Sequence, residues 1–259
     1  MMIDLHNHTV LCNHAEGSIE EYVQTAIAQK IDTFGFSDHA PMNFDKAYRM
    51  SFLEMESYEK DVLHVKEKYH DQIKILLAYE VDFLDGYIDE RVLKRKVDYF
   101  IGSVHYLGTW GFDNPEFIGE YRTKNIDEVW ERYFGAIEAM AKCGLFDIVG
   151  HLDLIKLFNY LPKKDVRVIA KEAIKAIKKS NMAIELNAAG FRKPVGEQYP
   201  SHPLLEMIAE HDIPITFGSD AHALDHIGFR QEELRDIAKQ YGYKKCATFE
   251  SRDRILVNF

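Results

Sequence analysis

Short apolar runs with strand composition alternate along the chain with longer stretches whose apolar residues recur every three or four positions. The helical patterns cover residues 18–30, 53–71, 89–96 and 125–143. The first has a start signal, because Ser18 is followed three residues later by Glu21, the spacing of a capping box. The seven strand-like runs are residues 2–5 (MIDL), 33–37 (TFGFS), 73–83 (IKILLAYEVDF), 98–105 (DYFIGSVH), 146–151 (FDIVGH), 183–188 (AIELNA) and 214–222 (PITFGSDAH).

Seven strand–helix units of roughly 30–40 residues indicate a parallel sheet with crossover helices, an α/β fold. A chain of 259 residues is long enough to close this sheet, so we predict a (β/α)7 barrel, a TIM-like barrel one unit short. An open doubly wound sheet is the alternative, although no G-x-G-x-x-G or Walker loop marks a nucleotide site. No charge block or Gly/Ser linker interrupts the pattern, so residues 1–259 are expected to form one domain.

Composition narrows the class of protein further. The 42 acidic residues exceed the 32 basic ones, and the net charge of −10 argues against a nucleic-acid binder with a basic face. The three cysteines are far apart and odd in number, so we expect free thiols. The chain has no signal-peptide pattern and no run of roughly 18 apolar residues. We therefore expect a cytoplasmic protein that binds neither membrane nor nucleic acid.

Histidines and acids gather where the predicted strands end. His6 and His8 are two residues apart, so in a strand both side chains point to the same face. One such pair also arises by chance, but the C-terminal ends of barrel strands meet on a single face, where active sites lie. Nine potential ligands lie at these ends or in the loops beyond them: His6, His8, His14, His39, Glu80, His105, His151, Asp220 and His222.

Nine ligands exceed the four or five that one ion uses, so the pattern predicts a site with more than one metal ion. A mixed set of imidazoles and carboxylates suits Zn, Fe or Mn better than Mg, and the pattern does not choose among these three. Cys12 lies near the first histidines. A thiol ligand is compatible with that place, but an ordinary loop thiol is the favoured interpretation.

Across the whole chain these residues resemble the PHP (polymerase and histidinol phosphatase) superfamily of metal-dependent phosphoesterases. The segments DLHNHT, SDH, SVH, GHLD and GSDAH carry the resemblance. Longer stretches resemble the histidinol-phosphatase branch: SDHAPM, AYRMSF, IGSVHYLG, GHLDLIKLF and ELNAAGFRKPVGEQYPS. The resemblance implies a distorted (β/α)7 barrel that holds three divalent metal ions at the C-terminal ends of its strands.

The resemblance also implies how the ligands divide among the three ions. The implied sets are His6, His8, Glu80 and Asp220 for the first ion, Glu80, His105 and His151 for the second, and His14, His39 and His222 for the third. Glu80 would then bridge two ions.

The activity that the resemblance implies is hydrolysis of L-histidinol phosphate to L-histidinol and phosphate, in histidine biosynthesis. Clustered cations lower the pKa of bound water, generate a hydroxide and neutralise charge on the phosphoryl group. Two alternatives stay open at this point. One is a related phosphoesterase that acts on phosphotyrosine, nucleotides or nucleic-acid ends, and the other is a non-catalytic metal-binding domain.

Several side chains beyond the ligands are candidates for contacts with the substrate. We predict that Arg192 binds the phosphate, because a guanidinium matches an oxyanion, with an exposed loop arginine as the alternative. Asp153 is expected to orient His151 or to move a proton, so the predicted catalytic set is Arg192, Asp153, Glu80 and Asp220. The remaining candidates are Tyr199 and His202, for which structural roles fit equally well, and Tyr48 and Arg49 as a wall for the amino-imidazole end.

Overall fold

The structure is a computed structural model that describes residues 1–259. The strands are β1 (Ile3–Asp4), β2 (Thr33–Phe36), β3 (Lys74–Asp82), β4 (Tyr99–Ser103), β5 (Tyr106–Leu107), β6 (Trp110–Gly111), β7 (Ile148–Val149), β8 (Ala183–Asn187), β9 (Ile215–Gly218), β10 (Lys245–Glu250) and β11 (Asp253–Asn258). Seven of them fall within the seven predicted runs and pair in parallel in the order β1-β2-β3-β4-β7-β8-β9.

The two edges of this sheet approach each other and nearly close it into a barrel. The amide of Leu5, just beyond β1, donates to the carbonyl of Phe217 in β9 at 2.9 Å. The amide of His8 donates to the carbonyl of Ala221 at 2.9 Å. The predicted (β/α)7 barrel is therefore confirmed, and the open doubly wound alternative is wrong. All seven strands point their C-terminal ends to the same face of the barrel.

The helices are α1 (Ile19–Ala28), α2 (Met55–Lys68), α3 (Glu90–Leu93), α4 (Ile126–Cys143), α5 (Val166–Lys179), α6 (His202–Glu210) and α7 (Gln231–Gln240). The predicted capping box begins α1, since Ser18 Oγ accepts from the amide of Glu21 at 3.2 Å and the Glu21 carboxylate accepts from the amide of Ser18 at 2.8 Å. The helix predicted over 89–96 shrinks to α3, because the amide of Asp98 already pairs with the carbonyl of Leu77 at 2.7 Å as the chain enters β4.

Two antiparallel hairpins have no counterpart in the predicted pattern. Strands β5 and β6 pair directly after β4, and β10 and β11 pair at the end of the chain, where β10 packs beside β9. Buried apolar side chains form one continuous core between the barrel sheet and its helices. None of the helices combines the length and the apolar composition that a membrane crossing requires.

Candidate metal centre

All nine predicted ligand residues converge at the C-terminal ends of the barrel strands, around a cavity of about 880 Å³. Seven of them line this cavity, and His6 and His8 lie below it with fully buried side chains. The structure thus brings together residues from both ends of the chain. Their role as ligands stays a prediction, but their atoms fall into three groups.

The first group consists of His6, His8, Glu80 and Asp220. Both histidines project from the end of β1, with ring centroids 5.1 Å apart. Nε2 of His8 lies 3.2 Å from Oδ1 of Asp220 and 3.7 Å from Oε2 of Glu80. Nε2 of His6 lies 3.4 Å from the same oxygen of Glu80. Four potential ligand atoms therefore face a common point.

The second group shares Glu80 with the first and adds His105 and His151. The other carboxylate oxygen of Glu80, Oε1, lies 2.9 Å from Nε2 of His151 and 3.7 Å from Nε2 of His105. The ligand atoms of this group all lie within 4.8 Å of one another. Oε2 faces the first group and also lies 2.9 Å from Nδ1 of His39, a member of the third group, whereas Oε1 faces the second. This is the arrangement of a bridging carboxylate.

The third group, His14, His39 and His222, lies at the more open side of the centre. Its ligand nitrogens also lie within 4.8 Å of one another, and the rings of His14 and His222 stack with centroids 4.6 Å apart. The buried thiol of Cys12 lies within the same distance of the ligand nitrogens of His8 and His222. Burial raises the pKa of the Cys12 thiol, which favours its neutral form beside this group.

The donor set fits transition-metal ions. Nε2 of His6, of His8 and of His222 is buried without any hydrogen-bond partner. A buried polar atom left unpaired costs about 1–3 kcal/mol, so three such atoms in one cluster indicate a ligand. Neutral imidazole nitrogens together with carboxylate oxygens are donors that Zn, Fe and Mn accept. The cluster therefore has the composition and the unpaired donors of a metal centre.

Carboxylates hold the second ring nitrogen of three of these histidines. The Nδ1–carboxylate pairs are His6 with Glu185 at 2.8 Å, His8 with Asp38 at 3.4 Å, and His105 with Asp82 at 2.6 Å. Each such pair fixes the ring so that Nε2 faces the centre, and it raises the basicity of that nitrogen. Gly218 makes the first pair possible, because a Cβ at this position would overlap both the Glu185 carboxylate and the side chain of His6.

Asp82 contacts the cluster through His105 and was not predicted from the sequence. It lies two residues after Glu80 in β3, so the E-x-D alternation placed both acids on one face and was an available signal. Its Oδ2 accepts from Nη1 of Arg49 at 2.8 Å. The remaining hydrogen bonds of Arg49 go to two backbone carbonyls and to the Tyr106 hydroxyl. Arg49 lines the cavity but is 4% exposed and pairs with Asp82, so the predicted contact with the substrate stays a prediction.

The acids and histidines of the cluster have pKa values that are shifted in different directions. Burial would raise the pKa of Glu80 and of Asp220, but the imidazoles around them outweigh it and hold both pKa values well below the usual range. Burial would lower the pKa of His8, but the carboxylates of Asp220 and Asp38 beside its ring outweigh it and raise the pKa to about 9. Burial lowers the pKa of His39 to about 4. Without metal, the first group therefore holds protons that an incoming ion must displace.

Two of the predicted substrate contacts border the cavity with unpaired donors. Arg192, in the turn after β8, uses Nη2 for backbone carbonyls, while its Nη1 is buried without a partner. The Tyr199 side chain is fully buried beside the cavity, and its hydroxyl also has no partner. Tyr48 lies at the rim, 40% exposed, with its ring edge-on to His14. Arg192 and Tyr199 are therefore placed to donate to a bound anion.

Two other predicted site residues, His202 and Asp153, do not line the cavity. His202 begins α6 on the outside of the barrel, where it is exposed and its Nδ1 lies 3.0 Å from the Tyr241 hydroxyl, so it does not line the cavity. Asp153 does not line the cavity either. It accepts from the amide of Ser201 at 2.9 Å and lies 3.2 Å from Nζ of Lys156, while Nδ1 of His151 has no partner. No hydrogen bond joins Asp153 to His151 in this structure, and the predicted role of Asp153 in orienting His151 or moving a proton stays a prediction.

The cavity has an acidic side that sequence reasoning did not find. Asp45, Asp113 and Glu116 line it from the loops after β2 and β6. Burial raises the pKa of Asp113, although the charge of His105 acts against this effect. Asp113 and Glu116 follow a hairpin that the sequence pattern did not show, and Asp45 lies beyond the SDH segment, so no pattern in the chain marked these residues.

The comparisons with known proteins agree with this fold. The model of the PHP domain family matches residues 4–189, about three quarters of the chain. The chain therefore belongs to the PHP domain family. A relative from Deinococcus radiodurans, named as a probable histidinol-phosphatase, is 38% identical over 245 residues that cover 91% of this chain and 94% of the relative.

Two solved structures share the barrel. One, from Listeria monocytogenes and assigned as a histidinol phosphatase, has a TM-score of 0.81 at 25% identity and covers 89% of this chain and 99% of its own. The other is a histidinol phosphate phosphatase from Lactococcus lactis, complexed with zinc, L-histidinol and phosphate. It has a TM-score of 0.80 at 23% identity and covers 98% of each chain. At that identity the second structure is a match of fold alone.

Proposed function

We propose that this protein is a histidinol-phosphatase, which hydrolyses L-histidinol phosphate to L-histidinol and inorganic phosphate at a centre of three divalent transition-metal ions. The observation that carries the proposal is the Glu80 carboxylate, whose two oxygens face two separate groups of imidazoles beside a third group. The Deinococcus relative bears the name of this activity, and the Lactococcus neighbour holds zinc, L-histidinol and phosphate.

The ligand sets we propose follow the three groups of the cluster. They are His6, His8, Glu80 and Asp220; Glu80, His105 and His151; and His14, His39 and His222. Zinc is the first metal to test, and iron or manganese suits the same donors. Ions bound there would lower the pKa of water towards neutrality and neutralise the phosphoryl oxygens.

The chain's own donors complete the phosphate site. Nη1 of Arg192 and the hydroxyl of Tyr199 are unpaired beside the cavity, so both can donate to phosphoryl oxygens without first giving up a partner in the protein. Donors held in place before the reaction are effective where negative charge develops in the transition state. Asp82 and Glu185 hold His105 and His6 in the tautomer that presents Nε2 to the centre.

The acidic side of the cavity favours a cationic substrate. Asp45, Asp113 and Glu116 give this wall carboxylates that can pair with the ammonium group of histidinol phosphate. The same carboxylates repel the extra negative charges of a nucleic-acid end or a nucleotide. Charge complementarity therefore distinguishes this substrate from the esters of the related phosphoesterases.

Phosphate release from a panel of esters tests the proposal. The panel is L-histidinol phosphate, a phosphotyrosine peptide, a nucleoside monophosphate and a DNA 3′-phosphate end, each assayed with zinc-loaded protein. We expect kcat/KM for L-histidinol phosphate to exceed the others by at least about a hundredfold, and D220N to lose the activity. Faster release from another ester, or release that D220N retains, would refute the assignment.

A further inference from the structure

Arg192 contacts the turn that carries the ligand Asp220 through its backbone. Nη2 of Arg192 donates to the carbonyl of Ser219 at 2.8 Å and to the carbonyl of Asp220 at 2.9 Å. The carbonyl of Asp220 also lies 3.1 Å from Nδ1 of His222. One guanidinium nitrogen therefore binds two backbone carbonyls beside Asp220 and His222 of the metal centre.

The turn needs such support because of its backbone conformation. Asp220 has φ of +54°, in the left-handed region that residues other than glycine seldom adopt, although Asp adopts it more often than most. This conformation directs Oδ1 of Asp220 to 3.2 Å from Nε2 of His8. A relaxed turn would move the carboxylate away from the first group.

The other terminal nitrogen of the guanidinium has no partner within the protein. Nη1 of Arg192 is buried, has no partner, and belongs to a side chain that lines the cavity. The ring of Phe229 lies 5.2 Å from the guanidinium carbon and contributes to holding its plane. The two terminal nitrogens of one side chain thus have different surroundings, one bound to the turn and one unpaired.

The geometry points to Arg192 as a positioning residue for Asp220. Its Nη2 holds the carbonyls of Ser219 and Asp220 in the strained turn, a contact that we call the clamp. The side chain that meets phosphate through Nη1 therefore also sets the geometry of a metal ligand. The role of Nη1 rests on the proposed function, whereas the clamp does not. The clamp gives Arg192 an effect on metal affinity although it is not itself a ligand.

Zinc affinity in a phosphate-free buffer separates the clamp from a simple anion contact, because the two predict opposite signs. Loss of a positive charge beside a cation site removes repulsion, so an arginine that only contacts phosphate should bind zinc equally or more tightly once replaced. Loss of the clamp releases Asp220 and should weaken zinc binding.

The experiment measures zinc affinity by competition with a chromophoric chelator for the wild type, R192M and R254M. Arg254, on the C-terminal hairpin, is the matched control. It lies far from the centre in the fold and donates to the carbonyl and the side chain of Asn181. We expect R192M to bind its weakest-held zinc about tenfold less tightly than the wild type and R254M to stay within twofold. Equal or tighter binding by R192M overturns the clamp.

R192K carries the same test if R192M does not fold. It keeps the charge but replaces the guanidinium fork by one nitrogen, so its zinc affinity should be weaker than that of the wild type by at least about threefold. Affinity equal to or tighter than the wild type would overturn the clamp here too. The readout uses no ester and no turnover. Failure of the wild type to hydrolyse L-histidinol phosphate would therefore refute the proposed function and leave this result standing.

Discussion

Oε1 of Glu80 lies 2.9 Å from Nε2 of His151, although 71 residues separate the two in the chain. The other oxygen of the same carboxylate faces His6 at 3.4 Å. Glu80 is 1% exposed, so water does not screen it from either ring. A single carboxylate at the end of β3 thus joins the two deepest groups of the centre.

Replacing Glu80 by glutamine tests this bridge. The amide keeps the shape but removes the negative charge that balances two cations, so E80Q should retain at least one zinc equivalent fewer than the wild type. Phosphate release should fall by more than about a hundredfold, since outer partners alone are worth about 10–100-fold. Plasma emission spectrometry and an initial-rate assay measure both effects.

E59Q is the control for this variant, because Glu59 is a partly buried carboxylate that pairs with Arg95 outside the centre. Its zinc content and activity should match the wild type. Normal zinc content in an active E80Q protein would contradict the bridge.

Replacing Asp82 by asparagine tests whether its carboxylate supports His105. D82N removes the charge that holds Nδ1 of His105 and leaves the Arg49 guanidinium buried without its ion partner. We expect zinc affinity or activity to fall about 10–100-fold, and R49M to show a smaller loss in the same direction. D89N is the matched control, since Asp89 pairs with Arg91 at the surface. Wild-type zinc affinity and activity in D82N would refute the support role.

The stability of the metal-free protein should depend on pH in a defined direction. Burial opposes protonation of His8 and His105, but neighbouring carboxylates outweigh it and raise the pKa values from 6.5 to about 9 and about 10. A raised histidine pKa contributes stability that is fully present below pH 6.5 and is lost as pH rises through the folded-state value.

Burial lowers the pKa of His39 to about 4, so its contribution has the opposite sign and is lost as pH falls below 6.5. The free energy of unfolding in urea should therefore peak near pH 6.5. It should fall by at least about 1 kcal/mol by pH 9.5, since a pKa change of one corresponds to about 1.4 kcal/mol. Zinc-loaded protein should lose less, because the ions replace the protons. Constant or rising stability of the metal-free protein above pH 6.5 would contradict this account.

Tyr199 allows a test of the phosphate site that leaves the ligands untouched. Y199F removes an unpaired buried hydroxyl and keeps the ring, so the fold and the zinc content should not change. If the hydroxyl donates to the phosphoryl group in the transition state, kcat/KM should fall by at least about tenfold. Y243F is the comparison, because the Tyr243 hydroxyl donates to the Ile213 carbonyl away from the cavity. Kinetics of Y199F within twofold of the wild type would refute the contact.

The sequence predicted the barrel and the convergence of nine residues because both depend on local signals. Strand-like runs at regular spacing define the sheet, and a side chain at the end of a parallel strand has only one face to occupy. His6 and Asp220 could therefore be placed together from opposite ends of the chain. Asp82 was within reach of the same reasoning, since it alternates with Glu80 along β3.

Residues in the connecting loops could not be placed in this way. His202 follows Tyr199 by three residues, yet one lines the cavity and the other leaves the barrel at the first turn of α6. The donors of Arg49 are satisfied by groups from several segments, and no local pattern records such partners. Asp113 depends on a hairpin that the pattern did not show. These positions follow from tertiary packing rather than from periodicity.

A zinc titration of chelator-stripped protein, with L-histidinol phosphate as substrate, tests whether the activity depends on the metal centre. The initial rate of phosphate release is measured against the equivalents of zinc added. The stripped protein should be inactive, and the rate should rise with added zinc to a plateau at about three equivalents. Full activity in the stripped protein, or no phosphate release at any zinc level, would contradict a metal-dependent histidinol-phosphatase built on this cluster.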